Sequence, residues 1–304
     1  MSRGRILVVR GGAIGDFILT LPALSALRKH FRQTHIEVLG YPHVASLAGL
    51  AGYANEIRSI EARALAGFFA RNGKLDEALG EHFASFNIII SYLYDPDGIF
   101  QENVARCSKA QFVAGPHRPS ESENIHATEQ LLKPLERLAI FAADPIPRIP
   151  VPKKPASDDF SALAIHPGSG SETKNWPEEH WAELLRTIGL NTQWRVLLIG
   201  GEAEQDRLQQ LASLVPVERL QVAVHQPLPD LVVRSANCNA FLGHDSGITH
   251  LAAAVGLPGL ALWGETNPRI WRPRSESFEL LRDERGLARI EPARVFAAVT
   301  KIMP

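Results

Sequence analysis

Residues 241–258 read FLGHDSGITHLAAAVGLP, an apolar run that breaks at a small polar turn and resumes as an apolar helix pattern. Leu242 and Gly243 end a buried strand, and Ser246, Gly247 and Thr249 fill the turn. The first amides of the following helix have no partner within it. Those amides and the positive end of the helix dipole favour an anion, and Gly247 lets a phosphate come close to the backbone. The plain alternative is a helix cap by Asp245 or Ser246 that binds nothing. On this stretch alone the cap is the commoner outcome, so the wider chain has to decide.

A second turn of this kind lies in residues 5–31, RILVVRGGAIGDFILTLPALSALRKHF. Gly11, Gly12 and Gly15 permit positive φ and close approach, while Leu19, Leu21, Leu24 and Leu27 fall near helical spacing. A dinucleotide fingerprint would need glycine where Arg10 stands and an acid closing the second strand at Gly40, so a nicotinamide enzyme is excluded. Asp16 opens the helix either as a general base or as a capping aspartate, and the local sequence weighs the two equally. The third turn is in residues 164–185, AIHPGSGSETKNWPEEHWAELL, with Pro177 at a helix start. There Lys174 neutralises a diphosphate or is an ordinary solvated lysine.

Strand-like runs near residues 6–9, 36–39, 57–60, 88–91 and 111–113 alternate with helix patterns. The proline-rich stretch 142–155, AADPIPRIPVPKKP, cannot continue a helix or a central strand. The alternation restarts at 163–166, 195–199, 220–222, 240–243 and 260–263. This order predicts an α/β fold with parallel sheets in two domains, 1–148 and 156–304. The last helix starts at Pro292, with Val295, Phe296, Val299 and Ile302 on one side, and is expected to pack on a domain, the N-terminal one being an option. Open α/β sheets bind ligands beyond the carboxyl ends of their strands, so a cleft between the two domains is expected.

The 304 residues are 45% hydrophobic and 21% charged, with a net charge of −1, ample for two cores and without general attraction to nucleic acid or an anionic membrane. Cys107 and Cys238 lack the spacing of a zinc site or disulfide framework and are expected to be reduced and buried. The short ILVV run after Arg3 and Arg5 is too brief for a secretory signal, and no apolar stretch reaches membrane-span length. A cytoplasmic protein is expected. The segment 62–69, with Leu65, Phe68 and Phe69, meets lipid at a membrane surface or, as such patches more often do, packs in the core.

The ordered set RGGAIGDFILTLPAL, YDPDG, HPGSGSETKNWP and GHDSGITHLAAAVGLPGLALWG resembles glycosyltransferase family 9, the heptosyltransferases of lipopolysaccharide assembly. The resemblance spans nearly the whole chain. It implies a GT-B fold, two Rossmann-like α/β domains facing a central cleft, with an N-terminal acceptor domain and a C-terminal donor domain. It implies an inverting transfer of heptose from ADP-heptose to a sugar hydroxyl of the lipopolysaccharide core, without a metal or other cofactor, and without nucleic-acid partners. The site is expected at the cytoplasmic face of the inner membrane, where a peripheral contact is an option.

Carried over by motif, Asp16 is the base and Lys174 stabilises the leaving diphosphate, with Gly12 and Gly15 shaping the N-terminal loop. Asp245, Ser246, Gly247, Thr249 and His250 hold donor phosphates and sugar, Ser169 and Thr173 add phosphate contacts, and Glu204 or its neighbour Glu202 meets the ribose. Asp95 and Gly98 shape a loop rather than bind metal. His166, His244 and His250 do not follow a metal-ligand pattern, so capping or substrate hydrogen bonding is expected of them. The stretch 114–131 is poor in Lys and Arg; His117 and Arg118 contact an anionic acceptor that Glu121 and Glu123 would oppose, or all four belong to a plain surface loop, the commoner outcome, which leaves the acceptor open. Another nucleotide sugar, a protein acceptor, or a non-catalytic nucleotide-sugar binder are the alternatives.

Overall fold

A computed structural model describes residues 4–152, 161–201 and 204–304. The chain forms two compact units, Met1–Pro147 and Arg148–Pro304, so the division falls inside the proline-rich stretch.

The first unit is built on five parallel strands, β1 (Arg5–Arg10), β2 (His35–Gly40), β3 (Glu56–Ser59), β4 (Ile88–Ser91) and β5 (Gln111–Ala114). Their order is β3-β2-β1-β4-β5. Parallel strands are covered on both faces by helices, which is why Ile6 to Val9 read as a continuous apolar run rather than an alternating one. The helices are α1 (Ile14–His30), α2 (Pro42–Leu50), α3 (Glu77–Ala84), α4 (Ile99–Ala105) and α5 (Ala127–Leu132). The strand order reverses between β1 and β4, the switch point where open α/β sheets take ligands. The glycine turn between β1 and α1 and the loop between β4 and α4 both stand there.

The segment expected at lipid or in the core forms a 3-10 helix, Arg63–Phe69. Leu65 and Phe68 lie in the hydrophobic core with Phe83 and Phe100. Phe69, partly exposed, stacks on Phe100 at 5.2 Å. Leu65 and Phe68 are thus covered by their own unit, while Phe69 stays exposed at its edge.

The second unit has six parallel strands in the order β11-β10-β9-β6-β7-β8. They are β6 (Ala162–His166), β7 (Arg195–Gly200), β8 (Leu220–Val224), β9 (Ala240–His244), β10 (Gly259–Leu262) and β11 (Phe278–Leu281). The helices between them are α6 (Glu178–Asn191), α7 (Gln205–Ala212), α8 (Leu228–Ala236), α9 (Gly247–Val255) and α10 (Pro268–Trp271), with α11 (Pro292–Ile302) last. Here the switch point is between β6 and β9, and the turns after β6, β7 and β9 all lie at that edge. The final helix starts at Pro292 as expected, and its Val295 and Val299 sit in the core of its own unit with Trp181, Leu184 and Ile188. No helix among the described residues is long and apolar enough to cross a membrane. The two cysteines are free but only half-buried, a correction to the expectation of full burial.

Candidate active site

In the second unit, β6 delivers His166 to a glycine-serine loop that runs to Trp176 before α6 begins. The loop is braced from within. The Ser169 hydroxyl donates to Ser171 O at 2.6 Å, and the Ser171 and Thr173 hydroxyls meet at 2.9 Å. At its far end the Lys174 ammonium donates to Asp245 Oδ2 at 2.6 Å, the lysine partly exposed and the aspartate largely covered. Asp245 had been expected among the phosphate-binding residues. The structure places its carboxylate on Lys174, where it holds the ammonium at the turn between β9 and α9.

Ser246 caps α9, its Oγ accepting the Thr249 N–H at 3.3 Å. The cap and the anion seat are compatible, since one side chain satisfies one amide and those of Gly247 and Ile248 stay without intrahelical partners. Ser246 Oγ also lies 3.3 Å from His166 Nδ1, and the Thr249 hydroxyl donates to His244 O. His250 is nearly buried on the same helix. Burial pushes His166 down to about 4 and His244 down to about 3, so both rings are neutral at pH 7.

Glu204 precedes α7, and its Oε2 accepts the Gly201 N–H at 2.5 Å. Its other carboxylate oxygen lies against Gly168, where any Cβ would collide with it. Glu204 therefore reaches from the turn after β7 to the turn after β6, where a side chain in place of Gly168 would make its carboxylate shift. The alternative ribose partner, Glu202, lies outside the described residues.

In the first unit, Asp16 is the third residue of α1 and its Oδ2 accepts the Ala13 N–H at 3.2 Å. Gly12 has φ +102°, and a Cβ there would stand 3.1 Å from Asp16 Oδ2. Gly12 thus makes the tight approach of the turn to Asp16 possible, while Gly15 lies in the first turn of α1.

Arg10 was seen in the sequence only as a broken fingerprint. It is 2% exposed, and its guanidinium donates to Tyr92 O at 3.3 Å, His117 O at 2.7 Å and Asp16 O at 3.1 Å. One side chain ties the ends of β1, β4 and β5 to the first turn of α1. Burial lowers its pKa, against the opposing pull of Asp16. The only hint in the sequence was a charged residue ending an apolar strand.

Asp95 accepts the amides of Phe100 at 3.0 Å and Gln101 at 3.1 Å, and Gly98 has φ +68°. The DPDG stretch is a helix cap, and its first carboxylate is fully engaged. Among the described residues one group, His35, Glu37 and Glu56, has metal-ligand spacing. Arg5 at 3.2 Å and Arg58 at 2.9 Å already neutralise Glu37, and His35 is at the amino end of β2, away from the glycine turn. The site residues therefore form two clusters, one at the switch point of each sheet.

Residues 146–291 match the family model described as glycosyltransferase family 9 (heptosyltransferase). The chain carries a glycosyltransferase family 9 domain. That domain contains all three turns of the second unit. The chain is 31% identical over 113 residues to lipooligosaccharide heptosyltransferase 2 of Haemophilus influenzae, a match covering 36% of this chain and 32% of the relative. It spans about a third of the length of the curated relatives it matches in this way.

Among solved structures, the glycosyl transferase family 9 protein of Veillonella parvula superposes with TM-score 0.79 at 19% identity, covering 98% of this chain and 97% of that one. The structure of Escherichia coli ADP-heptose LPS heptosyltransferase II gives TM-score 0.78 at 18% identity, covering 98% of each. At this identity the likeness establishes the fold, GT-B, with its two parallel α/β sheets. The Asp16 turn lies outside the matched domain, and its part in any reaction rests on the motif resemblance of the first turn.

Proposed function

We propose that the protein is an inverting glycosyltransferase that moves heptose from ADP-heptose to a sugar hydroxyl of the lipopolysaccharide core, without a metal. The observation that carries this reading is the Lys174–Asp245 pair at 2.6 Å beside the amino end of α9. It sets a cation and free amides together at the switch point of a family 9 domain. The likeness to lipooligosaccharide heptosyltransferase 2 of H. influenzae and to the E. coli ADP-heptose LPS heptosyltransferase II supports the same donor and acceptor class.

In the proposed reaction the acceptor hydroxyl oxygen attacks the anomeric carbon of the donor sugar as the bond from that carbon to the diphosphate oxygen breaks. The hydroxyl proton passes to Asp16, and the electron pair of the broken bond leaves on ADP. Lys174 and the amides of Gly247 and Ile248 stabilise the developing charge, the service a metal ion performs in other transferases. Ser169 and Thr173 bind phosphate oxygens, Glu204 binds the ribose, and His250 contacts the sugar. The transfer belongs to the cytoplasmic face of the inner membrane, where the acceptor is assembled.

Arg118 stands 3.6 Å from Glu121 and Lys133 2.6 Å from Glu123. These pairings neutralise the loop after β5 and favour a second reading in which the acceptor is a sugar of lower charge than a phosphorylated core.

The test is incubation with ADP-heptose and heptose-deficient core in EDTA, followed by mass spectrometry and anomeric proton NMR. Addition of one heptose with inverted configuration is expected. Retention of configuration, or transfer only with a divalent cation, would overturn the mechanism; transfer from a different nucleotide sugar would overturn the donor.

A further inference from the structure

His244, which ends β9, is fully buried and touches no ligand in the reading above. Its Nε2 lies 2.9 Å from the backbone N of Trp176, and its Nδ1 lies 3.3 Å from Gly168 O. A backbone N–H can only donate, so Nε2 is the bare nitrogen of the ring. The proton of the neutral ring is then on Nδ1, facing a carbonyl that can only accept. One imidazole thus grips the loop at both ends, at Gly168 and at Trp176.

The ring itself is held. Trp181 meets it edge-on at 5.3 Å and 83°, Trp176 packs edge-on against Trp181 at 5.1 Å, and the Thr249 hydroxyl donates to the His244 carbonyl. The next residue, Asp245, takes the Lys174 ammonium. Two consecutive residues at the end of β9 therefore fix the backbone of the loop and its cation. With both nitrogens engaged, His244 is available neither as an acid or base nor as a metal ligand.

We infer that His244 is a positioning residue: its fixed Nδ1–H tautomer staples the loop 168–176 and so sets where Lys174 stands. The consequence for turnover rests on the proposed donor site, whereas the staple is a property of the folded chain and is tested separately.

Nitrogen-15 NMR of the wild-type imidazole reads the staple directly. A protonated Nδ1 and a bare Nε2, unchanged between about pH 5 and 8, are expected for a buried neutral histidine. The opposite tautomer, or a titration inside that range, would overturn the inference whatever the activity. For the role, His244→Phe keeps the ring volume and removes both bonds, and His244→Gln keeps an acceptor and a donor.

His244→Phe should lower kcat by about 100-fold, the scale of a misplaced charge-stabilising donor, and His244→Gln should recover at least about tenfold of that loss. Adding Lys174→Ala to His244→Phe should cost under about threefold more, because the two act through one element. An undiminished Lys174→Ala effect in the His244→Phe background would show that His244 does not act through Lys174. The same cycle read on ADP affinity gives the answer if transfer is not observed with ADP-heptose. If His244→Phe fails to fold, the wild-type tautomer and His244→Gln still decide.

Discussion

Arg10 shows how a residue's role depends on contacts far along the chain. An arginine after an apolar strand reads as solvated surface, yet it is bonded to carbonyls 82 and 107 residues away. Removing it leaves buried carbonyls without donors, and unpaired buried groups cost about 1–3 kcal/mol each. Arg10→Met is therefore expected to lower unfolding free energy by about 2–4 kcal/mol, with Arg10→Lys little better because an ammonium cannot span the three acceptors. Chemical denaturation checks this, and a loss within experimental error would contradict the burial.

Asp16 and Lys174 were legible because their neighbours were: glycines mark the turn before one, and a Gly/Ser loop surrounds the other. The partner of Lys174 was not legible, since Asp245 is 71 residues away and only the sheet order brings them together. Asp16→Asn should reduce kcat by about 10²–10⁴-fold while leaving ADP affinity unchanged, as loss of a general base does. Undiminished turnover would remove Asp16 from the chemistry. Lys174→Ala should cost about 10²–10³-fold, the scale of a lost charge-stabilising donor.

At the scale of elements, ten of the strands announced themselves as short apolar runs, six of them ending in Gly, Ser or His. The exception is β11, whose four residues FELL carry one exposed charge and no period. Its position was fixed by pairing with β10, Gly259 opposite Phe278, a long-range fact that composition does not encode. Similarly, the 3-10 segment at 63–69 is apolar enough to suggest a surface patch. Packing against α4 puts Leu65 and Phe68 inside and leaves Phe69 exposed.

The ends of β6 and β9 carry buried His166 and His244, whose pKa values fall from 6.5 to about 4 and about 3. In the unfolded chain both protonate near pH 6.5, whereas in the folded chain they stay neutral to much lower pH. Between those limits the unfolded state binds more protons, so stability rises with pH there. The contribution is complete above about pH 6.5 and is lost progressively as pH falls toward 4. Urea titrations at pH 7.5 and 5 should give a lower midpoint at pH 5, and His244→Gln should flatten the difference. An unchanged difference in the variant would show that His244 is not the group responsible.

For the whole molecule, two doubly wound sheets, each with its own core and switch point, follow from the strand-helix alternation and the proline-rich break between its halves. The family 9 match covers only the second unit and its approach, residues 146–291, so the donor half of the proposal has support that the acceptor half lacks. The acceptor half of the proposal turns on charges after β5 that are paired with one another, a detail that side-chain geometry reveals and sequence does not.

Titration calorimetry with ADP, GDP and UDP in EDTA tests the donor site most directly. ADP is expected to bind without metal and more tightly than the others, with the affinity falling in Lys174→Ala. Failure of ADP to bind, or binding that requires a divalent cation, would contradict the assignment of the Lys174, Asp245 and α9 cluster as the seat of the donor diphosphate.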